Sequence, residues 1–137
     1  MKVLGLDYGE KRTGVAISDE LELIAGPLKT IFHSNKSCLI DEILQIIKET
    51  NAKKIVLGKP LNMNGTEGAR VRETLEFANE LKEKSNLEIE LIDERLTTVT
   101  AHNILNESGV GGSKKRKNII DTLSAVIILQ QYLDKKN

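Results

Sequence analysis

Acidic residues stand at three places where the sequence puts the ends of secondary-structure elements. Asp7 closes one short β-rich run, the pair Asp93-Glu94 closes another, and Asp121 falls in the first turns of the last apolar helix pattern. Ligands of α/β proteins gather at the carboxyl ends of strands, so these carboxylates can converge. Carboxylates brought together repel one another unless a hard cation neutralises them, and a set of oxygen ligands suits Mg²⁺ or Mn²⁺.

The chemistry of such a cluster would be phosphodiester hydrolysis, because a carboxylate-bound metal pair activates water and stabilises the leaving oxygen. Each acid taken alone is more typical of a solvated or capping side chain, and only the set of three favours a site. The chain has one cysteine and two histidines. It therefore offers no disulfide framework and no clustered zinc ligands.

The elements that would position these acids follow from hydrophobic periodicity and turn residues. Five strands are predicted over residues 2–7, 13–18, 28–32, 54–57 and 87–92, and four helices over 37–49, 67–84, 98–106 and 119–133. The first two strands are joined too tightly for a parallel crossover and must form a hairpin. This order predicts an α/β fold, a mixed five-stranded sheet with helices on both faces. A length of 137 residues predicts one domain, 1–137, with a frayed tail over about 134–137.

The amino-acid composition restricts the classes of partner that the chain could bind. The 20 Lys and Arg balance the 20 Asp and Glu, which argues against coating nucleic acid by bulk charge and requires any such binding to be local. No apolar run approaches the length of a membrane span and nothing marks the chain for export, so we predict a cytoplasmic protein without a membrane partner. The chain has only four aromatic residues, so recognition by base stacking is not expected.

Four motifs spaced along nearly the whole chain resemble those of one family. They are the opening segment over residues 5–19, the G-K-P-L-N-M-N-G loop over 58–65, D-E-R-L-T-T over 93–98 with Ala101, and K-R-K over 115–117 followed by Asp121. Together they resemble the YqgF (RuvX) family, Holliday-junction-resolvase-like nucleases with an RNase H-like fold. The departures are small: Lys59 precedes the loop proline, and Ser124 stands where the family usually has alanine.

The resemblance implies an RNase H-like fold and a divalent-metal site. Carried over by position, it implies that Asp7, Glu94 and Asp121 are the catalytic metal ligands for Mg²⁺ or Mn²⁺, with Asp93 as an additional candidate. Neighbouring side chains alternate across a strand, so one of the two adjacent acids should face the metals. The resemblance favours Glu94.

Basic and hydroxyl residues near these acids are candidate nucleic-acid contacts, although a charge run is more often a solvated face. The candidates are Lys11, Arg12, Arg95, Thr97, Lys114, Lys115, Arg116 and Lys117. The last four lie in a predicted basic loop over 110–117. Arg70 and Arg72 could reach the same surface, but solvated helix charges are the favoured interpretation. His33 and His102 are interpreted as loop or surface histidines.

The predicted function is a two-metal nuclease, a hydrolase whose partner is structured RNA or branched DNA. The resemblance favours 5′-end processing of the precursor of 16S ribosomal RNA, with Holliday junction resolution as the alternative substrate. A non-catalytic RNA-binding module for ribosome assembly is an alternative of another class. An actin-like ATPase or sugar kinase also carries D-x-G before a hairpin, but it needs two such domains. We expect a monomer or a weak homodimer.

Overall fold

The strands form one mixed sheet. The computed structural model describes residues 1–60, 68–93 and 113–136, with the backbone alone over 113–121. The strands are β1 (Val3–Asp7), β2 (Arg12–Ser18), β3 (Ala25–Phe32), β4 (Lys54–Lys59) and β5 (Glu88–Asp93). Their order is β3-β2-β1-β4-β5, with antiparallel pairing from β3 to β1 and parallel pairing from β1 to β5. The predicted five-stranded mixed sheet is confirmed.

The described helices are α1 (Lys36–Thr50), α2 (Ala69–Ser85) and α3 (Ser113–Lys136). The Asn35 side chain caps α1 by accepting a hydrogen bond from the backbone N–H of Cys38. Asn51 and Asn86 end α1 and α2 in the left-handed conformation, with φ of 62° and 58°. Asparagine tolerates that conformation better than most residues, so local sequence ends both helices.

Two apolar layers cover the two faces of the sheet. The layer on one face packs the strands against α1 and α2 around Leu6, Leu57 and Phe77. The layer on the other face packs them against α3, around Val56 and Leu129. Side chains alternate along each strand, so one short strand supplies both layers. The predicted placement of helices on both faces is confirmed.

The third strand is longer than predicted. β3 begins at Ala25, three residues before the predicted start, and includes Gly26 and Pro27. It lies at the edge of the sheet, where proline's missing N–H need not cost a ladder bond. The register shifts between Val15 and Ala16 of β2, a bulge that accommodates the extra residue on β3.

The last helix is also longer than predicted. Residues 113–117, predicted as part of a basic loop, form the first turns of α3, and the helix continues to Lys136. Lysine and arginine are good helix formers, so the basic run does not need to be a loop. Lys136 Nζ contacts Glu22 Oε1 at 2.7 Å. The loop expected around 62–65 and the short helix expected over 98–106 lie outside the described residues.

No helix in the described part of the chain is both long enough and apolar enough to cross a membrane.

Helix α3 lies directly on β1 at Gly5. A Cβ atom on Gly5 would lie 2.7 Å from Leu129 Cβ and 3.2 Å from the Ala125 carbonyl oxygen. Such distances leave no room for a side chain, so glycine is what permits the helix and the strand to approach this closely. The contact lies two residues before Asp7 on the same face of the strand.

Substitution of Gly5 tests this packing. We expect Gly5→Ala to lower the free energy of unfolding by about 1–3 kcal/mol, because the added methyl group overpacks the contact with α3. Urea denaturation measures the change.

Gly26→Ala is the matched control, since a Cβ there would meet no atom closer than the Ile17 carbonyl oxygen at 4.0 Å. Its effect should stay within about 0.5 kcal/mol. Equal losses in the two variants would contradict a specific role for Gly5.

Candidate active site

The carboxyl ends of three parallel strands meet at one edge of the sheet. Asp7 is the last residue of β1 and is half-buried, and Asp93 is the last residue of β5 and is exposed. Strand β4 lies between them, so the two strand axes are about 10 Å apart. The structure thus brings both predicted acidic positions to the same edge.

The two acids nevertheless lie on opposite faces. Leu6 and Leu91 both pack in the layer against α1 and α2, and Ile92 packs in the layer against α3. Because side chains alternate, Asp7 follows Leu6 onto the α3 face, and Asp93 follows Ile92 onto the α1 and α2 face. Asp93 is therefore not on the face that Asp7 shares with the last helix.

Helix α3 brings residue 121 to the level of Asp7. Asp7 pairs with Gly14, and Gly14 pairs with Thr30, so the three form one row across β1, β2 and β3. Thr30 Oγ1 lies 2.6 Å from Thr122 Oγ1, a hydrogen bond between β3 and α3. The helix therefore crosses the sheet at the row of Asp7, with the backbone of Asp121 next to this bond.

Tyr8, the residue after Asp7, is held by ring contacts and by a hydrogen bond to its carbonyl oxygen. The Tyr8 ring lies parallel to the Phe77 ring at a centroid distance of 4.2 Å and to the His33 ring at 6.4 Å. Arg70 Nη2 donates a hydrogen bond to the Tyr8 carbonyl oxygen at 3.1 Å. Burial raises the pKa of the Tyr8 phenol, which keeps the ring neutral in this stack. These contacts fix the backbone that carries Asp7.

Gly9 explains the spacing of the Asp7-Tyr8-Gly9 motif. A Cβ atom at Gly9 would collide with the carbonyl oxygen of Arg12 across the β1–β2 turn. Only glycine lets the hairpin close this tightly. Gly9 is therefore required by the tight turn, which brings β2 back to pair with β1, the strand that ends at Asp7.

A basic cleft opens beside the hairpin turn. Its volume is about 540 Å³, and it is lined by Glu10, Lys11, Arg12, Phe32 and Arg70. Lys11 and Arg12, two predicted nucleic-acid contacts, are brought together there. Arg70, interpreted from sequence as a solvated helix charge, joins them while it bonds the Tyr8 carbonyl. The hairpin thus gathers positive charge close to Asp7.

Other predicted site residues fall beyond what the structure describes. Glu94, Arg95 and Thr97 lie outside the described residues, and so do the side chains of Asp121, Lys114, Lys115, Arg116 and Lys117. The backbone of the last four belongs to the first turns of α3. Among the side chains that are described, no group of three or more His, Cys, Asp or Glu could hold a metal ion.

His33 makes contacts that its interpretation as a loop or surface histidine did not include. It lies in the loop immediately after β3, and it is half-buried. Its Nε2 lies 3.0 Å from Thr13 Oγ1, and its ring stacks on Tyr8. No local pattern signals this role, because the contact joins the end of an edge strand to a turn about 25 residues earlier in the chain. Spacing along the sequence cannot reveal a pairing of that kind.

Comparison with known proteins places this chain in a family. The family model described as "RuvX: Holliday junction resolvase" matches residues 1–135. The chain belongs to the RuvX family. A relative from Ruminiclostridium cellulolyticum is 47% identical, covering 98% of this chain and 95% of the relative. One from Clostridioides difficile is 46% identical over the same shares. Both are named "Putative pre-16S rRNA nuclease".

Solved structures share the architecture of this RuvX-family chain. Thermus thermophilus RuvC in complex with a Holliday junction matches with a TM-score of 0.64 and 14% identity, covering 99% of this chain and 95% of that chain. The fowlpox virus resolvase bound to Holliday junction DNA matches with a TM-score of 0.63 and 11% identity, covering 99% of each chain. The predicted RNase H-like fold is confirmed by these matches.

His33 makes the stability of the protein depend on pH. Burial lowers the pKa of His33 from its ordinary value of 6.5, so the unfolded chain takes up a proton at a higher pH than the folded protein does. The free energy of unfolding should therefore be fully retained above about pH 6.5 and should fall as the pH drops towards the lower, folded pKa. Urea denaturation at intervals from pH 8 to pH 5 measures this.

The control is His33→Gln, whose amide can replace the bond to Thr13 without titrating. We expect its stability to stay flatter over this range. Asp19 and Glu22 also have lowered pKa values, from 3.8 and 4.5, but their contributions are lost only at more acidic pH. A parallel pH dependence in wild type and variant would contradict the role of His33.

Proposed function

We propose that this RuvX-family protein is a divalent-metal-dependent nuclease that hydrolyses phosphodiester bonds. The observation that carries the proposal is the meeting of Asp7 and the start of α3 at one edge and on one face of the sheet. That edge is where α/β folds bind ligands. The basic cleft beside it suits a substrate with a phosphate backbone.

Asp7, Glu94 and Asp121 would hold the metal ions, which we propose to be Mg²⁺ or Mn²⁺. The donor chemistry fits, because all three ligands are carboxylates and hard cations prefer oxygen. Asp93 lies on the opposite face from Asp7, which supports Glu94 as the acid contributed by the end of β5. When bound, two metal ions would supply an activated water and stabilise the leaving oxygen.

The protein's own residues contribute positioning and charge. The stack around Tyr8 holds the Asp7 backbone, so that its carboxylate need not be reorganised when substrate binds. Lys11 and Arg12 would bind phosphates on the hairpin side of the site. Arg95, Thr97 and the basic residues 114–117 at the start of α3 are the other phosphate contacts that we propose.

We propose that the substrate is the precursor of 16S ribosomal RNA, processed near its 5′ end in the cytoplasm. Two relatives that are 46–47% identical over 98% of this chain are named "Putative pre-16S rRNA nuclease". Holliday junction resolution is the second candidate, favoured by the description of the family model. Trimming RNA requires one site, so a monomer or a weak homodimer suffices. Resolving a symmetric junction requires two sites related by a two-fold axis.

Removal of the Asp7 carboxylate tests the metal-dependent mechanism. We expect Asp7→Asn to reduce Mg²⁺- or Mn²⁺-dependent cleavage of labelled precursor RNA by at least about a hundredfold, since even outer-shell changes at metal sites cost 10–100-fold. Circular dichroism and thermal melting should show that the variant is folded.

Asp93→Asn is the matched control, one carboxylate at the same edge but on the other face. It should retain activity to within about tenfold of wild type, short of the loss seen for direct metal-site changes. Full activity in Asp7→Asn would contradict the role of Asp7 as a metal ligand, and binding of the RNA without cleavage by the wild-type protein would favour a non-catalytic RNA-binding module. Equal loss in both variants would contradict the assignment of the two faces.

A direct comparison of substrates tests the choice of RNA. Precursor 16S RNA and a four-way DNA junction are incubated separately with the protein and each metal, and the products are resolved on denaturing gels. We expect cleavage of the RNA by a protein whose light-scattering mass is that of a monomer. Cleavage of the junction alone, by a dimer, would support the resolvase instead.

A further inference from the structure

Phe32 is the one strongly exposed aromatic residue of the chain. The sequence has two tyrosines, two phenylalanines and no tryptophan. Phe77 and Tyr132 are buried, and Tyr8 is half-buried in its stack, whereas Phe32 is 61% exposed. An exposed phenylalanine contributes little to folding, because its apolar surface remains in water. Its ring is therefore available to a ligand.

The surroundings of Phe32 are cationic. Phe32 pairs with Arg12 across β2 and β3, and both line the cleft together with Lys11, Arg70 and one acid, Glu10. The cleft volume of about 540 Å³ lies within the range of about 300–1,000 Å³ that is typical of sites for small ligands. An aromatic face beside three cations suits a group that is flat, apolar and attached to negative charge.

Phe32 also lies on the face of the candidate active site. Thr30 shares a row with Asp7, and Phe32 follows Thr30 by two residues on the same side of β3. Strand β3 lies two strands from β1, so Phe32 is roughly 12 Å from Asp7 by standard strand spacings. A nucleic acid bound at the acidic edge could extend into the cleft.

We propose that the cleft binds an unpaired nucleotide of the RNA substrate, with the base stacked on Phe32 and the neighbouring phosphates held by Lys11, Arg12 and Arg70. The inference rests on the proposed nuclease function and narrows its substrate class. Aromatic rings stack on any base, and cationic side chains bind the phosphate backbone of the nucleic acid. A base inside a duplex has no free face, so the substrate must carry single-stranded residues near the bond that is cleaved.

The other exposed apolar residues do not share this setting. Leu21, Leu23 and Ile24 lie in the β2–β3 connection, and Ile24 is about 26 Å from Phe32 at the strand rise per residue. Leu28 lies midway along β3 and is 40% exposed. Only Phe32 among them lines the cleft with the cations. We therefore assign Phe32 to nucleic acid and not to contact with a second copy of the chain.

Fluorescence gives a direct test, because the wild-type chain has no tryptophan. In Phe32→Trp, we expect titration with a single-stranded RNA oligonucleotide, in excess chelator to prevent cleavage, to quench the new fluorophore. An oligonucleotide of equal length and charge with abasic residues should not quench it. Leu28→Trp, on the same strand but outside the cleft, is the matched control and should not respond to either ligand.

Affinity gives the second test. Stacking contributes about 1–3 kcal/mol per base, so Phe32→Ala should weaken binding of the single-stranded RNA at least about fivefold by fluorescence anisotropy. Its affinity for the abasic oligonucleotide and for a blunt RNA duplex should not change. Phe32→Trp should restore the wild-type affinity for the single strand, and Leu28→Ala should leave it unaltered.

Several outcomes would overturn the inference. Equal losses on the normal and abasic oligonucleotides, quenching of Leu28→Trp to the same extent, or a changed solution mass in Phe32→Ala would each do so. A wild-type protein that cleaves precursor RNA while Phe32→Ala binds single strands normally would refute the stacking alone. A wild-type protein that binds single strands through Phe32 but cleaves neither substrate would refute the nuclease and leave the cleft assignment standing.

Discussion

The close contact between Gly5 and α3 is the constraint on which the site depends. With no Cβ at Gly5, the strand approaches Ala125 and Leu129 directly, and one helical turn before Ala125, about 6 Å back along the axis, lies residue 121. One same-face step after Gly5 lies Asp7. The Thr30–Thr122 bond holds the same helix over β3. Two contacts on different strands thus set where the start of α3 crosses the sheet, and with it the distance between two of the proposed metal ligands.

Adjacent residues of the first hairpin have different structural roles. Asp7 ends the strand, Tyr8 enters the stack with Phe77 and His33, and Gly9 lets the turn close against the Arg12 carbonyl. Without these contacts, the backbone at the end of the strand, and the carboxylate that it carries, would be less well ordered. The Tyr8 ring lies parallel to two other rings, and its carbonyl oxygen accepts a hydrogen bond from Arg70, so several contacts hold the backbone next to the acid. Rigidity of this kind is what a preorganised metal site requires.

A net charge of zero conceals a separation of charge along the edge of the sheet. The acids gather at the ends of β1 and β5, while three cations line the cleft beside the hairpin. In the proposed mechanism metal ions neutralise Asp7 and the other metal ligands, and the cations of the cleft bind phosphate. This arrangement makes binding local, which agrees with the balanced composition. The exposed Phe32 adds an apolar surface to the same cleft, a feature that the low aromatic content of the chain did not favour.

Local sequence determined the element order, the sheet composition, the helix ends at Asn51 and Asn86, and the acidic positions at strand ends, because periodicity and turn chemistry are properties of neighbouring residues. The motifs pointed to the RuvX family, which comparison confirmed. Only the tertiary structure decided which face of β5 carries Asp93, how far β3 and α3 extend, and that His33 and Phe32 adjoin the Asp7 hairpin. These features depend on the register between strands, on the position of β3 at the edge of the sheet, and on contacts between residues that are far apart in the chain. Such interactions leave no periodic trace in the sequence, since they arise only when the sheet is assembled and α3 packs on Gly5.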